Sequence, residues 1–270
     1  MGAISKVPRS EALTSIDTMV HVAEKTLQQR VPNLIFEHDY FKGGDVSNYQ
    51  DYVLRKHGPL ADNLISVLNL KTNDVVIDYG AATGSLILEL IKRGLPNVYG
   101  TDQSFWAVDF GLNNFNLEGH LFHYNRDLLT KPKDYVFCFD VLEHVPSIKE
   151  LVYTLSLARE GMRKGMVVRI PVAEQEGDNF VLDVSRNDRT HIQCHSKRYW
   201  DTLFRSTGFI PDSRIDAEAI YDRPGVLCAV YRPDNAHPEA HINIAQLQKL
   251  FEWSTVRHLA KRKLPDEPTQ

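Results

Sequence analysis

The sequence contains few cysteines, and none of them has the spacing of a metal-binding pair. Only Cys138, Cys194 and Cys228 occur among the 270 residues, and they are far apart and odd in number. Because cysteine-based zinc sites need pairs a few residues apart, this pattern excludes that class of site. We predict no disulfide, as expected in a reducing compartment.

The sequence also lacks a long apolar run and an excess of basic residues. No run approaches the about 20 residues of a membrane-spanning helix, and the polar start, residues 1–11, has no signal-peptide core. Lysine and arginine number 31 against 35 acidic residues, which gives a formal net charge of −4. This balance argues against nucleic acid as a partner. We therefore predict a cytoplasmic protein with no membrane partner.

The apolar content predicts one sizeable core with additions at both ends. Hydrophobic residues make up 43% of the chain, which is enough for one domain. We predict an N-terminal helical cap and aromatic lid over residues 1–70, a core over residues 71–232, and a helical extension over residues 233–270. Ser10 would cap the first helix, and Tyr49 and Tyr52 are the predicted lid residues. An amphipathic pattern at residues 242–264 predicts a helix that packs on the domain or forms a homodimer.

Strand and helix patterns alternate from residue 75 onward. The predicted strands cover residues 75–79, 97–101, 121–125, 135–139, 166–170, 210–216 and 226–231. Helices are predicted near residues 51–68, 85–93, 104–114, 147–160 and 196–206. This alternation is typical of right-handed crossovers. The predicted fold is α/β, a doubly wound, seven-stranded, mostly parallel Rossmann-like sheet whose last two strands form an antiparallel edge pair.

A glycine loop follows the first strand of the predicted core. Residues 75–84 read Val-Val-Ile-Asp-Tyr-Gly-Ala-Ala-Thr-Gly, an apolar run that ends in an acid and leads into a helix. A dinucleotide fingerprint requires Gly-x-Gly-x-x-Gly at this place, but Ala82 stands at the middle glycine. This departure argues against a nicotinamide dehydrogenase.

The pattern Asp78-x-Gly80-x-Ala82-x-Gly84 resembles the S-adenosylmethionine loop of class I methyltransferases, and the resemblance covers about residues 70–232. It implies S-adenosyl-L-methionine as the cofactor, with the methionine moiety at the loop and the ribose on Asp102. Asp127 and Leu128 are expected at the adenine. The complete set of expected cofactor-binding residues is Asp78, Gly80, Ala81, Ala82, Gly84, Asp102, Gln103, Asp127, Leu128, Asp140 and Tyr49.

Carboxylates and histidines follow the fourth and fifth strands. The run Asp140-Val-Leu-Glu143-His144-Val is similar to one common in small-molecule methyltransferases. Asp188-x-Thr-His191 before an aromatic helix resembles methyltransferases of sugars and natural products. We expect His144, His191 and Glu143 to be catalytic, with a histidine removing the proton of an acceptor hydroxyl. Structural roles in helix capping or loop anchoring are the alternative.

A metal site is a second interpretation of the same residues. Asp140, Glu143 and His144, together with His191 or His195, have an arrangement similar to that of some ubiquinone-pathway and small-RNA methyltransferases. A divalent ion there would bind the acceptor oxygen and lower its pKa. We do not expect a metal, because the motif is far commoner than metal dependence.

The predicted function is methyl transfer from S-adenosylmethionine to a small-molecule acceptor, most simply a hydroxyl oxygen of a sugar or another natural product. A nitrogen acceptor stays open. The alternatives are an RNA or protein methyltransferase, for which the basic stretch at residues 257–263 is the relevant feature, and a non-catalytic protein that binds the same cofactor. The sequence does not identify the acceptor.

Overall fold

The fold was analysed in a computed structural model. It describes residues 36, 38–42, 47, 52, 55–236, 248 and 250. The predicted N-terminal helix with its Ser10 cap, the lid residue Tyr49 and the basic stretch 257–263 lie outside the described residues. Of the predicted C-terminal helix only Gln248 and Leu250 are described, both helical, and Leu250 is fully buried in the core.

The described residues form a seven-stranded sheet with helices on both faces. The strands are β1 (Val76–Tyr79), β2 (Val98–Asp102), β3 (Leu121–His123), β4 (Lys133–Phe139), β5 (Met162–Pro171), β6 (Phe209–Pro211) and β7 (Val226–Pro233). The helices are α1 (His38–Lys42), α2 (Gly58–Leu68), α3 (Ser85–Lys92), α4 (Phe105–Phe115), α5 (Ile148–Arg159), α6 (Asp183–Asn187) and α7 (Lys197–Ser206), with 3-10 helices at Arg126–Thr130 and Leu142–His144. The predicted fold class is confirmed.

The strand order is β3-β2-β1-β4-β5-β7-β6. Strands β1 to β5 run parallel to one another, whereas β7 runs antiparallel to both β5 and β6. The chain winds from β1 outward to β3 and then crosses back to β4, so the order reverses between β1 and β4. Open α/β sheets bind ligands outside the carboxyl ends of the strands at such a reversal point.

Serine caps start three of the helices. The Ser147 hydroxyl accepts a hydrogen bond from the Glu150 amide at 3.2 Å, and Ser196 accepts one from the Tyr199 amide at 3.3 Å. Ser104 caps α4 in the same way, through the Ala107 amide at 3.0 Å. These bonds satisfy amides that have no partner within the helix.

Two predicted elements differ most from the observed ones. The strand predicted over residues 210–216 ends at Pro211 because the Asp212 carboxylate accepts from the Arg214 amide at 3.2 Å and from its guanidinium at 2.7 Å. The connection to β7 is therefore longer than residues 217–225, which lie between the two predicted strands. The helix predicted from residue 51 begins at Gly58, directly before Pro59, a residue favoured in the first turn.

The core lies on both faces of the sheet. On one face the large buried side chains Tyr199, Trp200 and Phe204 of α7 pack against α5 and the sheet. On the other face α2 and α3 pack against β1 and β2 through Leu64, Ile87 and other apolar residues. Within the part of the chain that the structure describes, no helix has both the length and the apolar composition to span a membrane.

Candidate active site

A cavity opens at the carboxyl ends of β1, β2 and β4, where the strand order reverses. It holds about 1150 Å³ of empty space, open solvent at its mouth included. Seven predicted cofactor residues line it: Asp78, Gly80, Ala81, Ala82, Asp102, Gln103 and Asp140. The predicted catalytic residue His144 lines it as well.

The loop after β1 is fixed to the end of β2 by hydrogen bonds. The Ala82 amide donates to Asp102 Oδ2 at 2.8 Å, and the Ser104 amide donates to Asp102 Oδ1 at 2.9 Å. Both Gly80 and Ala82 have left-handed backbone conformations, with φ of 83° and 49°. The alanine at the middle glycine position therefore adopts a conformation that glycine would adopt without strain.

Asp78 presents a buried carboxyl to the cavity. Its exposed fraction is 4%, and no described residue forms a hydrogen bond or ion pair with it. Burial, together with the nearby Asp102 carboxylate, raises the pKa of Asp78 to about 7, against a smaller opposing effect of Arg169. A buried acid in this situation is complementary to a cationic ligand group.

Aromatic side chains from the N-terminal segment cover the cavity. Tyr40 and Phe41 of α1 are buried at 5% and 4% exposure, and Phe41 stacks on Trp106 of α4 with a centroid distance of 5.5 Å. Phe36 contacts His144 edge to face at 5.3 Å. Tyr52, a predicted lid residue, also lines the cavity. Most of the cover therefore comes from residues of the predicted lid region, 1–70, that were not named individually as lid residues.

Three predicted cofactor residues do not line the cavity. Gly84 faces the core, because a Cβ at this position would lie 2.5 Å from Leu117 Cδ1. Asp127 is exposed, and its amide donates to the Asn125 side chain at 3.0 Å. Leu128 packs on the core cluster. The 3-10 helix that Asn125 caps places Tyr124 and Arg126 on the cavity instead.

Arg169 is a site residue that the sequence analysis missed. It extends from β5 and binds Asp140 through two hydrogen bonds, Nε to Oδ1 at 3.0 Å and Nη2 to Oδ2 at 2.6 Å. Although burial opposes it, the guanidinium holds the pKa of Asp140 below its usual range. The one signal in the sequence is a lone charge within the apolar run Val-Val-Arg-Ile at residues 167–170.

Glu143 and two histidines form a compact cluster behind the cavity. Glu143 Oε1 lies 3.9 Å from His144 Nε2 and 4.0 Å from His191 Nε2. The Glu143 side chain is fully buried, and neither carboxylate oxygen has a hydrogen-bond partner among the described residues. Burial and the Asp140 charge raise the pKa of Glu143 well above its usual range. The structure thus brings the three predicted catalytic residues together.

The two histidines of the cluster are held by their Nδ1 atoms. His144 Nδ1 lies 3.1 Å from the carbonyl oxygen of Thr190, and His191 Nδ1 lies 3.1 Å from that of Ser185. Because a carbonyl can only accept, both Nδ1 atoms donate, which leaves a lone pair on each Nε2. Burial lowers the pKa of both rings, that of His144 to about 4, so they are neutral near pH 7.

Two other residues of the metal interpretation lie outside this cluster. The Asp140 carboxylate is occupied by Arg169. His195 Nδ1 donates to Glu176 Oε1 at 2.6 Å, and its Nε2 lies 3.0 Å from Gln193 Oε1. It also stacks on Tyr199 at 3.6 Å. His195 therefore anchors α7 rather than joining the cluster.

A second cavity adjoins the first. Asp140, Arg169, His57 and Leu60 line both cavities. The second cavity is also lined by Glu143, His191 and the segment 182–188 after β5. The Glu143, His144 and His191 cluster consequently stands between the two cavities, with His144 on one side and His191 on the other.

Solved structures with a similar fold include several methyltransferases. The partner protein in the complex of the Haloferax volcanii Trm112 methyltransferase activator aligns over 66% of this chain and 90% of its own, with 16% identity and a TM-score of 0.50. Magnesium protoporphyrin IX methyltransferase from Synechocystis PCC 6803, with bound SAH, aligns over 81% and 99%, with 18% identity and a TM-score of 0.48. Mitomycin 7-O-methyltransferase aligns over 66% and 54%, with 14% identity and a TM-score of 0.47.

Sequence comparison identifies the family. No curated protein matches the sequence significantly. A family model described as a methyltransferase domain matches residues 52–213, which is more than half of the chain. This range includes the loop after β1, the Asp102 position and the cluster of Glu143, His144 and His191. The chain therefore belongs to the methyltransferase-domain family, as a class I methyltransferase whose cofactor is S-adenosylmethionine.

Proposed function

We propose that this methyltransferase methylates a hydroxyl oxygen of a small molecule, such as a sugar or another natural product. The observation that supports the proposal is the pair of adjoining cavities with a buried histidine and carboxylate cluster between them. One cavity has residues that suit the cofactor, and the other is free for an acceptor. The cluster lies where an acceptor hydroxyl has to lose its proton.

The first cavity has polar groups that suit both ends of S-adenosylmethionine, the charged methionine end and the polar nucleoside end. The buried carboxyl of Asp78, which has no hydrogen-bond or ion-pair partner among the described residues, is complementary to the ammonium group of the methionine moiety. The Asp102 carboxylate accepts the Ala82 and Ser104 amides and lines the same cavity. Because a carboxylate has about four acceptor positions, we assign the two ribose hydroxyls to it. Gln103 and Tyr124 line the same end of the cavity, where we place the adenine in place of Asp127.

The bound cofactor supplies the methyl group: the acceptor oxygen forms the new bond to carbon, and the carbon–sulfur bond breaks with its electron pair on sulfur, leaving S-adenosylhomocysteine. The chain supplies orientation and exclusion of water. Phe36, Tyr40 and Phe41 cover the reacting end of the cavity. His144 Nε2, neutral near pH 7 and facing the junction of the cavities, is placed to take the acceptor proton.

Turnover with a panel of acceptors tests this proposal. The full chain is incubated with S-adenosylmethionine and matched pairs of small molecules that carry a hydroxyl or an amine at the same position. We expect S-adenosylhomocysteine and an O-methylated product with at least one hydroxyl compound, and loss of both in His144→Ala. Methylation of the amine members alone would contradict the oxygen acceptor. Binding of the cofactor without turnover on any member would contradict the small-molecule class.

A further inference from the structure

We propose that Glu143, His144 and His191 form a binding site for a divalent transition-metal ion. These side chains come from two parts of the chain, the 3-10 helix after β4 and the connection before α7. Their nearest ligand atoms all lie within 4.8 Å of one another. The proposal concerns ion binding by itself, and only the role of the ion in catalysis rests on the proposed function.

The main observation is the unsatisfied carboxylate of Glu143. Both oxygens are buried and neither has a hydrogen-bond partner among the residues described. Leaving a buried carboxylate without partners is costly, and buried charges are normally paired or bound to metals. The nearest groups, His144 Nε2 and His191 Nε2, carry lone pairs because their Nδ1 atoms donate to carbonyls. Three groups that can each offer an electron pair thus face a common point.

The hydrogen bonds behind the histidines are those expected around metal ligands. The Thr190 hydroxyl donates to Asp188 Oδ1 at 2.5 Å and therefore accepts from His144 Nδ1 at 2.9 Å. His191 Nδ1 is held by the Ser185 carbonyl. A metal-bound histidine characteristically donates a hydrogen bond from its second ring nitrogen to a carbonyl or carboxylate oxygen. This hydrogen bond fixes the tautomer and the ring orientation.

The backbone holds the two parts of the cluster in register. The amides of Ile192 and Gln193 both donate to the main-chain carbonyl of Glu143, at 2.9 and 2.8 Å. Thr190, which precedes His191 in the sequence, accepts a hydrogen bond from His144 Nδ1 at its main-chain carbonyl. His191 is consequently fixed relative to Glu143 on both of its flanks. Such preorganisation reduces the entropy lost when a ligand binds.

A second histidine and glutamate pair in the same chain shows the contrast. Glu176 Oε1 lies 2.6 Å from His195 Nδ1, the separation of a direct hydrogen bond. In the cluster the corresponding separations are 3.9 and 4.0 Å. Two ligands of a tetrahedral zinc ion are about 3.4 Å apart, so closure on an ion requires Glu143 to approach each histidine by about half an ångström. The largest separation in the cluster, within 4.8 Å, would shorten by up to about 1.4 Å. The gap in the cluster matches an ion better than a hydrogen bond.

The donor set indicates the class of ion. One carboxylate and two imidazoles suit Zn²⁺ and Fe²⁺, whereas Mg²⁺ prefers oxygen ligands throughout. Three protein ligands leave at least one coordination position open, as in catalytic rather than structural zinc sites. When bound, the ion would supply Lewis-acid chemistry that lowers the pKa of an acceptor hydroxyl at that position, and the proton would leave to water. His144 would then hold the ion, and its role as the base, given under the proposed function, applies to the protein without the ion.

Metal titration of the full chain tests the site without reference to activity. The protein is stripped with a chelator and titrated calorimetrically with Zn²⁺ and, separately, with Mg²⁺. We expect one tight Zn²⁺ site per chain, no comparable Mg²⁺ binding, and a dissociation constant at least about 100-fold higher for Glu143→Gln. Glu176→Gln, which removes a half-buried carboxylate beside a different histidine, is the matched control and should bind Zn²⁺ like the wild type.

Two results would overturn the proposal. Equal Zn²⁺ binding by the wild type, Glu143→Gln and Glu176→Gln would show that the ion binds elsewhere, and no saturable binding would show that water or a proton fills the gap. If Glu143→Gln does not fold, the Co²⁺ absorption spectrum of the wild type decides, because a spectrum identical to aqueous Co²⁺ contradicts coordination by this cluster. S-adenosylmethionine binding, measured on the same samples, distinguishes failure of the metal site from failure of the cofactor site.

Discussion

Arg169 and Asp140 form a bidentate ion pair that joins two neighbouring strands at the site. Its two contacts, at 3.0 and 2.6 Å, connect the carboxyl end of β5 to that of β4. The Arg169 guanidinium also lies over the rings of Phe139 and Tyr221. Asp140 has a left-handed backbone, with φ of 55°, and the ion pair keeps it in that conformation.

Replacing Arg169 with methionine should destabilise the protein more than loss of a surface ion pair. The side chains of Arg169 and Asp140 are 14% and 27% exposed, so we expect a loss of about 2–3 kcal/mol, below the about 3–5 of a fully buried pair. Denaturant unfolding measures the loss. Arg205→Met, which removes an exposed pair with Asp201, should cost less than about 1 kcal/mol. Equal losses in the two variants would contradict a structural role of the pair.

Cofactor affinity should depend on pH through Asp78. Its pKa is raised to about 7 by burial and by Asp102, with Arg169 opposing. In the free protein the raised value favours the protonated acid, so the stability that this group contributes is present at low pH and falls as pH rises from about 4 to about 7. A cationic ammonium needs the ionised form, so the affinity should increase about tenfold per unit as pH rises toward 7 and then level off.

Calorimetric titration with S-adenosylmethionine between about pH 5.5 and 7.5 measures this dependence. Asp78→Asn keeps the shape of the side chain but removes its ionisation. In this variant the affinity should be low and nearly constant over the same range. A persistent slope in Asp78→Asn would assign the pH dependence to another group.

Asp102→Ala should weaken S-adenosylmethionine binding by about 100-fold or more, because two charge-assisted hydrogen bonds of about 1.5–3 kcal/mol each would be lost. The substitution also removes the acceptor of the Ala82 amide, which loosens the loop. Asp102→Asn keeps one carbonyl oxygen and should have an intermediate effect. The control is Asp109→Ala, which removes an exposed carboxylate paired with His123 and should leave the dissociation constant unchanged.

Gly111→Ala should disturb both the fold and the loop. A Cβ at Gly111 would lie 2.2 Å from the Thr83 carbonyl oxygen and 2.6 Å from Leu121 Cδ2. Overpacking of this severity costs about 3 kcal/mol, and the better helix propensity of alanine offsets about 1 kcal/mol. We expect a net loss of about 2 kcal/mol and weaker cofactor binding. Asn113→Ala, exposed on the same helix, should change neither quantity.

Local patterns were sufficient to predict most of the fold and part of the site. The acid that ends β1, the one that ends β2 and the loop between them have local signals, so Asp78 and Asp102 were placed at one cavity. The predicted assignment of these residues to the cofactor stays a prediction. The antiparallel pairing predicted for the last two strands is also observed, although the connection between them is longer than predicted.

Other features depend on contacts between residues far apart in the sequence, which local patterns do not predict. Arg169 and Asp140 are 29 positions apart and pair only because β4 and β5 are neighbours. Asp127 was expected at the adenine, but the side chain of Asn125 caps a 3-10 helix that turns this carboxylate to solvent. His195 and His191 were equivalent in the sequence, and only the tertiary structure separates the one bound by Glu176 from the one beside Glu143.

The two amides that bind the Glu143 carbonyl connect a wall of the second cavity to the cluster of Glu143, His144 and His191. Residues 182–188 form a wall of the second cavity, and the same connection continues through His191 to the amides of Ile192 and Gln193. Because this wall and His191 belong to one stretch of backbone, the shape of the second cavity and the position of His191 beside Glu143 are set together. In the proposed reaction, acceptor selectivity and reactivity are therefore coupled through this connection.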